Sequence, residues 1–130
     1  MNKWLLAASL LSALIVPAHV FGGGPEFHQV LLESDLSDHV KAGFSTIWHF
    51  TTLSMLINSA VLLMAAISRL DMRTAVWAVM AQYAAFAGLF AFYGMSRLGN
   101  LTDLPQWTAF LGVVVLAALG LRVTTNKGLA

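Results

Sequence analysis

A chain of 130 residues that is 58% hydrophobic and 10% charged lies far from the soluble balance of about half apolar and a quarter charged, and one soluble fold of this length cannot hide that much apolar surface. A net charge of +1 with no basic stripe excludes nucleic acid as a partner. The absence of cysteine excludes disulfides, thiolate metal sites, iron–sulfur ligation and thiol catalysis, and leaves His, carboxylate and Met as the only metal ligands.

A hydrocarbon core of about 30 Å asks for roughly 20 apolar residues per spanning helix. Four segments answer that description, at residues 4–21, 42–67, 75–95 and 106–123. They predict an all-α integral membrane bundle of four transmembrane helices in a single domain covering residues 1–130.

Gly22-Gly23-Gly24-Pro25 follows the first segment and is expected to end its helix, because three glycines and a proline continue a helix only at a cost. Lys3, the apolar run and Val16-Pro17-Ala18 also fit a secretory signal peptide with small residues at −3 and −1. Cleavage after Ala18 would leave three spans, and a retained helix is the reading preferred. Residues 22–41 form an outer loop, too polar for hydrocarbon. Within it Leu31, Leu32 and Leu36 lie near helical spacing opposite Glu33 and Asp38, which predicts a short amphipathic surface helix able to run into the second span.

The second span is the least lipid-like. Ser45, His49, Thr52 and Ser59 trace one stripe at helical spacing, and Thr51, Ser54 and Asn58 lie beside it. Such a face should turn toward other helices, where Ser, Thr and Asn ordinarily make interhelical hydrogen bonds. The third span carries Ala81, Ala84, Ala85, Gly88 and Ala91 in overlapping small-xxx-small pairs, the pattern of a packing helix, with Gln82 and Tyr83 adding polar groups. Thr102 or Asp103 should cap the fourth span, with Pro105 near its first turn. That span offers little beyond Thr108, Gly112 and Gly120 and is expected to face lipid over much of its surface. Trp4, Trp77 and Trp107 fall near predicted ends, as interfacial rings do. Trp48 lies deeper, placed to pack on a neighbour or a cofactor.

Charge sets the expected orientation. Lys3, Arg69, Arg73, Arg122 and Lys127, five of the seven basic residues, fall on one side of a chain that crosses four times. The other side holds Lys41, Arg97, Glu26, Glu33, Asp35, Asp38 and Asp103. The positive-inside rule then places both termini in the cytoplasm.

All four histidines share the outer side. His49 is the only ionisable side chain within residues 42–67, and such a group at membrane depth marks a functional-site candidate by default. His39 and His49 would stand about 15 Å apart on one helix, too far to share an ion, whereas His19 and His49 could reach a similar depth on antiparallel helices. Three readings follow. His49 is neutral and hydrogen-bonded within the bundle; or His19 and His49, with Glu26 or His28, bind haem or a transition metal near the outer surface; or His49 accepts protons in a transport or sensing path. No HExxH or CxxCH motif favours one of them.

The run His19…Lys41…Trp48-His49-Phe50-Thr51-Thr52 resembles an uncharacterised group of small bacterial four-helix membrane proteins. In these a histidine ends helix 1, an outer segment follows, and a basic residue precedes a Trp-His-x-Thr/Ser stretch in helix 2. The resemblance covers about the first half of the chain, which departs from it at Gly22-Gly23-Gly24-Pro25, where a more regular charged segment would stand. It implies a shared architecture with helix 1 retained, and no particular activity.

The function expected is that of a small polytopic protein of the bacterial inner membrane, a non-enzymatic structural or accessory component of a membrane assembly. Its partners would be lipid, other membrane proteins or a second copy, and Ser45, Thr52, Asn58, Ser59 and Gly88 are its expected packing and polar-face residues. The alternatives are a haem- or metal-binding redox protein using His19 and His49, and a small oligomeric transporter or proton-linked channel.

Overall fold

A computed structural model describes residues 1–127, with side chains through residue 123. Among the described residues it is all-helical. Four helices are long and apolar enough to cross a membrane: α1 (Lys3–Glu33), α2 (Asp38–Ile67), α3 (Arg73–Leu98) and α4 (Gln106–Lys127, its qualifying part Gln106–Val123). They run up and down in turn. α1 packs extensively on α2 and α4, α4 packs on α3, and the seam between α2 and α3 is the thinnest.

Each helix buries one line of residues spaced alternately by three and four. On α1 the line is Leu5, Ala8, Ser12 and Ile15; on α2 it is Met55, Ser59, Leu62 and Ala66. On α3 it is Val76, Met80, Tyr83 and Ala87, and on α4 Phe110, Val113, Ala117 and Gly120. This alternation, averaging 3.5 residues, is the pattern of shallow left-handed packing between near-antiparallel helices.

Two devices hold the register. Midway along the bundle the Ser59 hydroxyl donates to the Met55 carbonyl at 2.8 Å. Its oxygen therefore accepts from Ser12, 2.7 Å away, and Ser12 in turn accepts from the Tyr83 hydroxyl. Ser9 donates to the Ser59 carbonyl at 2.9 Å. Alongside, Asn58 donates to Gln82 at 2.9 Å, and Gln82 donates to Ser54. Interhelical hydrogen bonds in membrane proteins contribute about 0.6 kcal/mol each on average, so these bonds fix rotation more than they supply stability. At one end of the bundle Asn2 Oδ1 accepts from the amides of Trp4 and Leu5, capping α1. Its side-chain amide donates to the Gly120 carbonyl at 2.8 Å, and its backbone amide donates to Ala66 at 2.8 Å. With α1, α2 and α4 tied there, the 31 and 30 residues of α1 and α2 outlast the 26 of α3 at the opposite, His19 end.

Several expectations are corrected. Gly22-Gly23-Gly24-Pro25 does not end α1. The helix changes winding instead: Lys3–Pro17 is α-helical, Ala18–Gln29 is π-helical, and Val30–Glu33 returns to α. A proline in an α-helix lacks its amide donor and clashes with the carbonyl four residues back. The wider i→i+5 turn moves that carbonyl away, and such local adjustments let helices in apolar surroundings tolerate proline and glycine. The amphipathic segment around Leu31 is thus the end of α1 and does not run into α2; only residues 34–37 separate the two. α2 begins at Asp38 rather than residue 42, and α3 extends to Leu98. Neither Thr102 nor Asp103 caps α4. Their amides both donate to Asn100 Oδ1 at 2.9 Å, in a turn after Gly99, whose φ of 74° is left-handed, while Pro105 accepts the Thr108 amide.

The small-residue faces also differ from expectation. On α3, Ala81, Ala84, Ala85 and Gly88 are exposed, because the buried line at Tyr83 and Ala87 turns them outward. A Cβ added to Gly88 would meet nothing within 4 Å outside its own helix backbone. On α4, the span expected to face lipid over much of its surface, the two glycines face α1: a Cβ on Gly120 would lie 2.7 Å from Leu5 Cγ, and one on Gly112 would lie 3.2 Å from Leu11. Replacing Gly120 by Leu should therefore force α4 off α1 and cost about 1–3 kcal/mol, read as a lower thermal midpoint in detergent. Gly88→Leu should leave that midpoint within error of wild type.

Candidate functional site

The buried lines, carried toward the far end, choose the side chains of the site. Four residues beyond Ile15 on α1 comes His19. Above Met55 on α2 come Thr52, Trp48 and Ser45, and four residues before Phe110 on α4 comes Gln106. Here the helices part around a cavity of about 620 Å³, within the range of small-molecule sites. Its wall is largely aromatic, from Phe27, Phe44, Trp48, Phe86, Phe90 and Phe110. Phe110 forms the hub of the inner wall, with ring centroids 5.5 Å from Phe86, 5.7 Å from Phe90 and 5.7 Å from Tyr83. The cavity reaches the surface near the α2–α3 seam, where its lining residues Phe44, Ile47 and Leu89 are exposed.

Trp48 organises the polar edge. The His19 ring stacks on it with centroids 3.9 Å apart, and His28 lies nearly parallel to it at 5.4 Å. The π-helical stretch makes this approach close: a Cβ on Gly23 would lie 3.1 Å from the Trp48 ring. His28 Nε2 is hydrogen-bonded to Ser45 Oγ at 2.9 Å, which ties the stretch to α2. The Trp48 carbonyl accepts from Thr52 at 3.1 Å. Two polar atoms at the cavity are buried without a hydrogen-bond partner, His19 Nε2 and Gln106 Oε1. Buried polar atoms nearly always have partners, so these two mark the chemically open part of the wall.

The residues expected to act together are only partly assembled. His19 and His28 meet across Trp48. His49 meets the ring of His28 edge-on at 5.4 Å, but it is exposed and does not line the cavity. One residue of α-helix turns the chain by 100°, so with Trp48 pointed at α1, His49 faces outward. Glu26 is exposed on the π-helical stretch and His39 is exposed in the first turn of α2. Among the described residues, no three His, Asp or Glu side chains stand close enough to hold one metal ion. Thr52 bonds its own helix, as Thr46 and Thr51 do, whereas Ser45, Asn58 and Ser59 bond to α1 or α3. Gly88 does not line the cavity. Sequence reasoning passed over Gln106, Gly23, Ser12 and the phenylalanines. The signal that finds His19 and Gln106 is their place on the three-four lines of α1 and α4.

The chain matches no family model, no curated protein and no solved structure. Its chemistry is read from the geometry alone: an aromatic cavity with two hydrogen-bonding atoms on different walls and a side opening among apolar residues. If the His28–Ser45 bond anchors the π-helical stretch, His28→Ala should raise amide exchange across residues 18–29 about five-fold, the equivalent of about 1 kcal/mol, with exchange in α4 unchanged by mass spectrometry.

Proposed function

We propose that this is a multi-pass protein of the bacterial inner membrane, with both termini cytoplasmic. It holds a small, largely apolar molecule drawn from the bilayer, and serves as a non-enzymatic accessory component of a membrane assembly. The observation that carries this reading is the cavity of about 620 Å³ with His19 Nε2 and Gln106 Oε1 buried and unpartnered at its wall. A bound molecule with a polar head satisfies both atoms, and the apolar lip at Phe44, Ile47 and Leu89 admits it from lipid.

The orientation has support from charge. Lys3, Arg69 and Arg73 gather around the Asn2 end, while Glu26, Glu33, Asp35 and Asp38 belong to the His19 end, and the side richer in basic residues faces the cytoplasm. Retention of α1 is supported by what it supplies: Ser9 and Ser12 of the central network and His19 of the cavity. The exposed face of Ala81, Ala84, Ala85 and Gly88 favours assembly, since small residues let a second helix approach closely.

The haem reading keeps one observation, the open Nε2 of His19. Its second ligand, His49, stands outside the cavity, so a paired His19–His49 haem has no support in the placement of the side chains.

Protein released from native membranes should carry a stoichiometric small-molecule adduct by native mass spectrometry, and Ala109→Phe, which fills the cavity from α4, should lose it. An adduct-free wild type would overturn the reading. A Soret band lost in His19→Ala would replace it with the haem alternative.

A further inference from the structure

The wall of the cavity carries no fixed charge. Among the described residues that line it, none is Asp, Glu, Lys or Arg. Lys41 and Arg97, the cations at this end of the bundle, lie off the lining. Of its polar side chains, His28 is bonded to Ser45 at 2.9 Å and Thr51 to the Ile47 carbonyl at 3.0 Å, while His19 and Gln106 hold the two buried atoms without a partner. Each of these two groups can meet a donor or an acceptor. A neutral imidazole carries its proton on either ring nitrogen, and a carboxamide turns its oxygen or its NH2 toward a neighbour. Hydrogen-bonding sense therefore does not select the ligand, but charge does.

We infer that the ligand is an uncharged lipid, with a hydroxyl, carbonyl or ester head and no ionised group, and that the site excludes the carboxylate, phosphate and ammonium amphiphiles of the same bilayer. The inference rests on the cavity being a ligand site, as proposed above. The reason is desolvation. An ion moved from water into an apolar enclosure without an opposite charge costs several kcal/mol, whereas a neutral polar head recovers most of its smaller cost through hydrogen bonds to His19 and Gln106. An anion would meet the electron-rich faces of six aromatic side chains with no Lys or Arg to receive it. A cation would gain about 0.5–2 kcal/mol over an aromatic face, but no carboxylate stands on the wall to balance it. Trp48, the ring type best suited to a cation, already has His19 stacked on it at 3.9 Å. Entry has the same bias, because an ionised head would have to pass the exposed apolar side chains of Phe44, Ile47 and Leu89.

The test is thermal stabilisation of the full chain in mild detergent, since a ligand of the folded state raises the midpoint in proportion to ln(1 + [L]/Kd). Four probes share about the same chain and differ in the head: 1-decanol, 2-decanone, decanoate and decyltrimethylammonium, compared at matched mole fraction and at about pH 8, where a carboxylate is ionised. The expected result is saturable stabilisation by the alcohol and the ketone with affinities within about three-fold of each other, and affinity for either ion at least about ten-fold weaker. In Ala109→Phe, which fills the cavity, the saturable effect of the alcohol and the ketone should disappear. Binding of either ion as tight as that of the alcohol overturns the inference and leaves a ligand site standing, with decyltrimethylammonium marking an aromatic cage for cations. An alcohol bound more than about ten-fold tighter than the ketone, or the reverse, also overturns it, because hydrogen-bonding sense would then select. No saturable binding of any probe removes both the inference and the ligand site. The comparison among probes uses the wild-type chain, so it stands whether or not the variant folds.

Discussion

The hydroxyl of Ser12 is the constraint on which the rest depends. In surroundings without water, an unsatisfied polar group costs several kcal/mol, so a serine buried there has few tolerable orientations. Ser12 meets that demand by accepting from Tyr83 of α3 and donating to Ser59 of α2, which locks the rotation of α1 against two neighbours at once. Once that rotation is set, the three-four line through Leu5, Ala8 and Ile15 follows, and the same line delivers His19 to the interior four residues later. Gly120 on the opposite flank completes the arrangement by letting α4 close onto Leu5.

The bundle divides into two chemical halves. From Asn2 to the level of Tyr83, its buried polar groups are paired and small residues bring the helices together. Beyond it, bulky rings at Trp48, Phe86, Phe90 and Phe110 hold the helices apart, and two polar atoms remain open. A core built only for stability would fill that space and pair those atoms. Here the unpaired groups coincide with a cavity that opens beside the α2–α3 seam.

The fold was legible in the sequence wherever it rests on apolar length: four runs of sufficient size predict four helices. The polar partners on α2 were legible too, since Asn58 and Ser59 have nowhere to turn but toward neighbours. The site was not, for three physical reasons. Choosing between Trp48 and His49 is a 100° question about rotation, and a broad polar face leaves it open; only the apolar line through Met55, Leu62 and Ala66 decides. Glycine and proline stop an α-helix but not a π-helix, and which winding prevails depends on Trp48 being there for Gly23 to approach. A small-residue stripe such as Ala81 to Gly88 says that some helix comes near, without saying whether that helix belongs to the same chain.

The winding change in α1 carries a geometric consequence of its own. Ser12 and His28, sixteen residues apart, both bond to α2, through Ser59 and Ser45. At 100° per residue an uninterrupted α-helix would leave them about 160° out of phase, with His28 turned away from its partner. A π-helical residue advances by less, because each turn holds more residues, and over the ten steps from Ala18 to His28 that slower advance works against the discrepancy. The stretch acts as a phase shifter: it lets one continuous helix present its packing face to α2 below and its histidine face to the same helix above, with no break in the backbone between them.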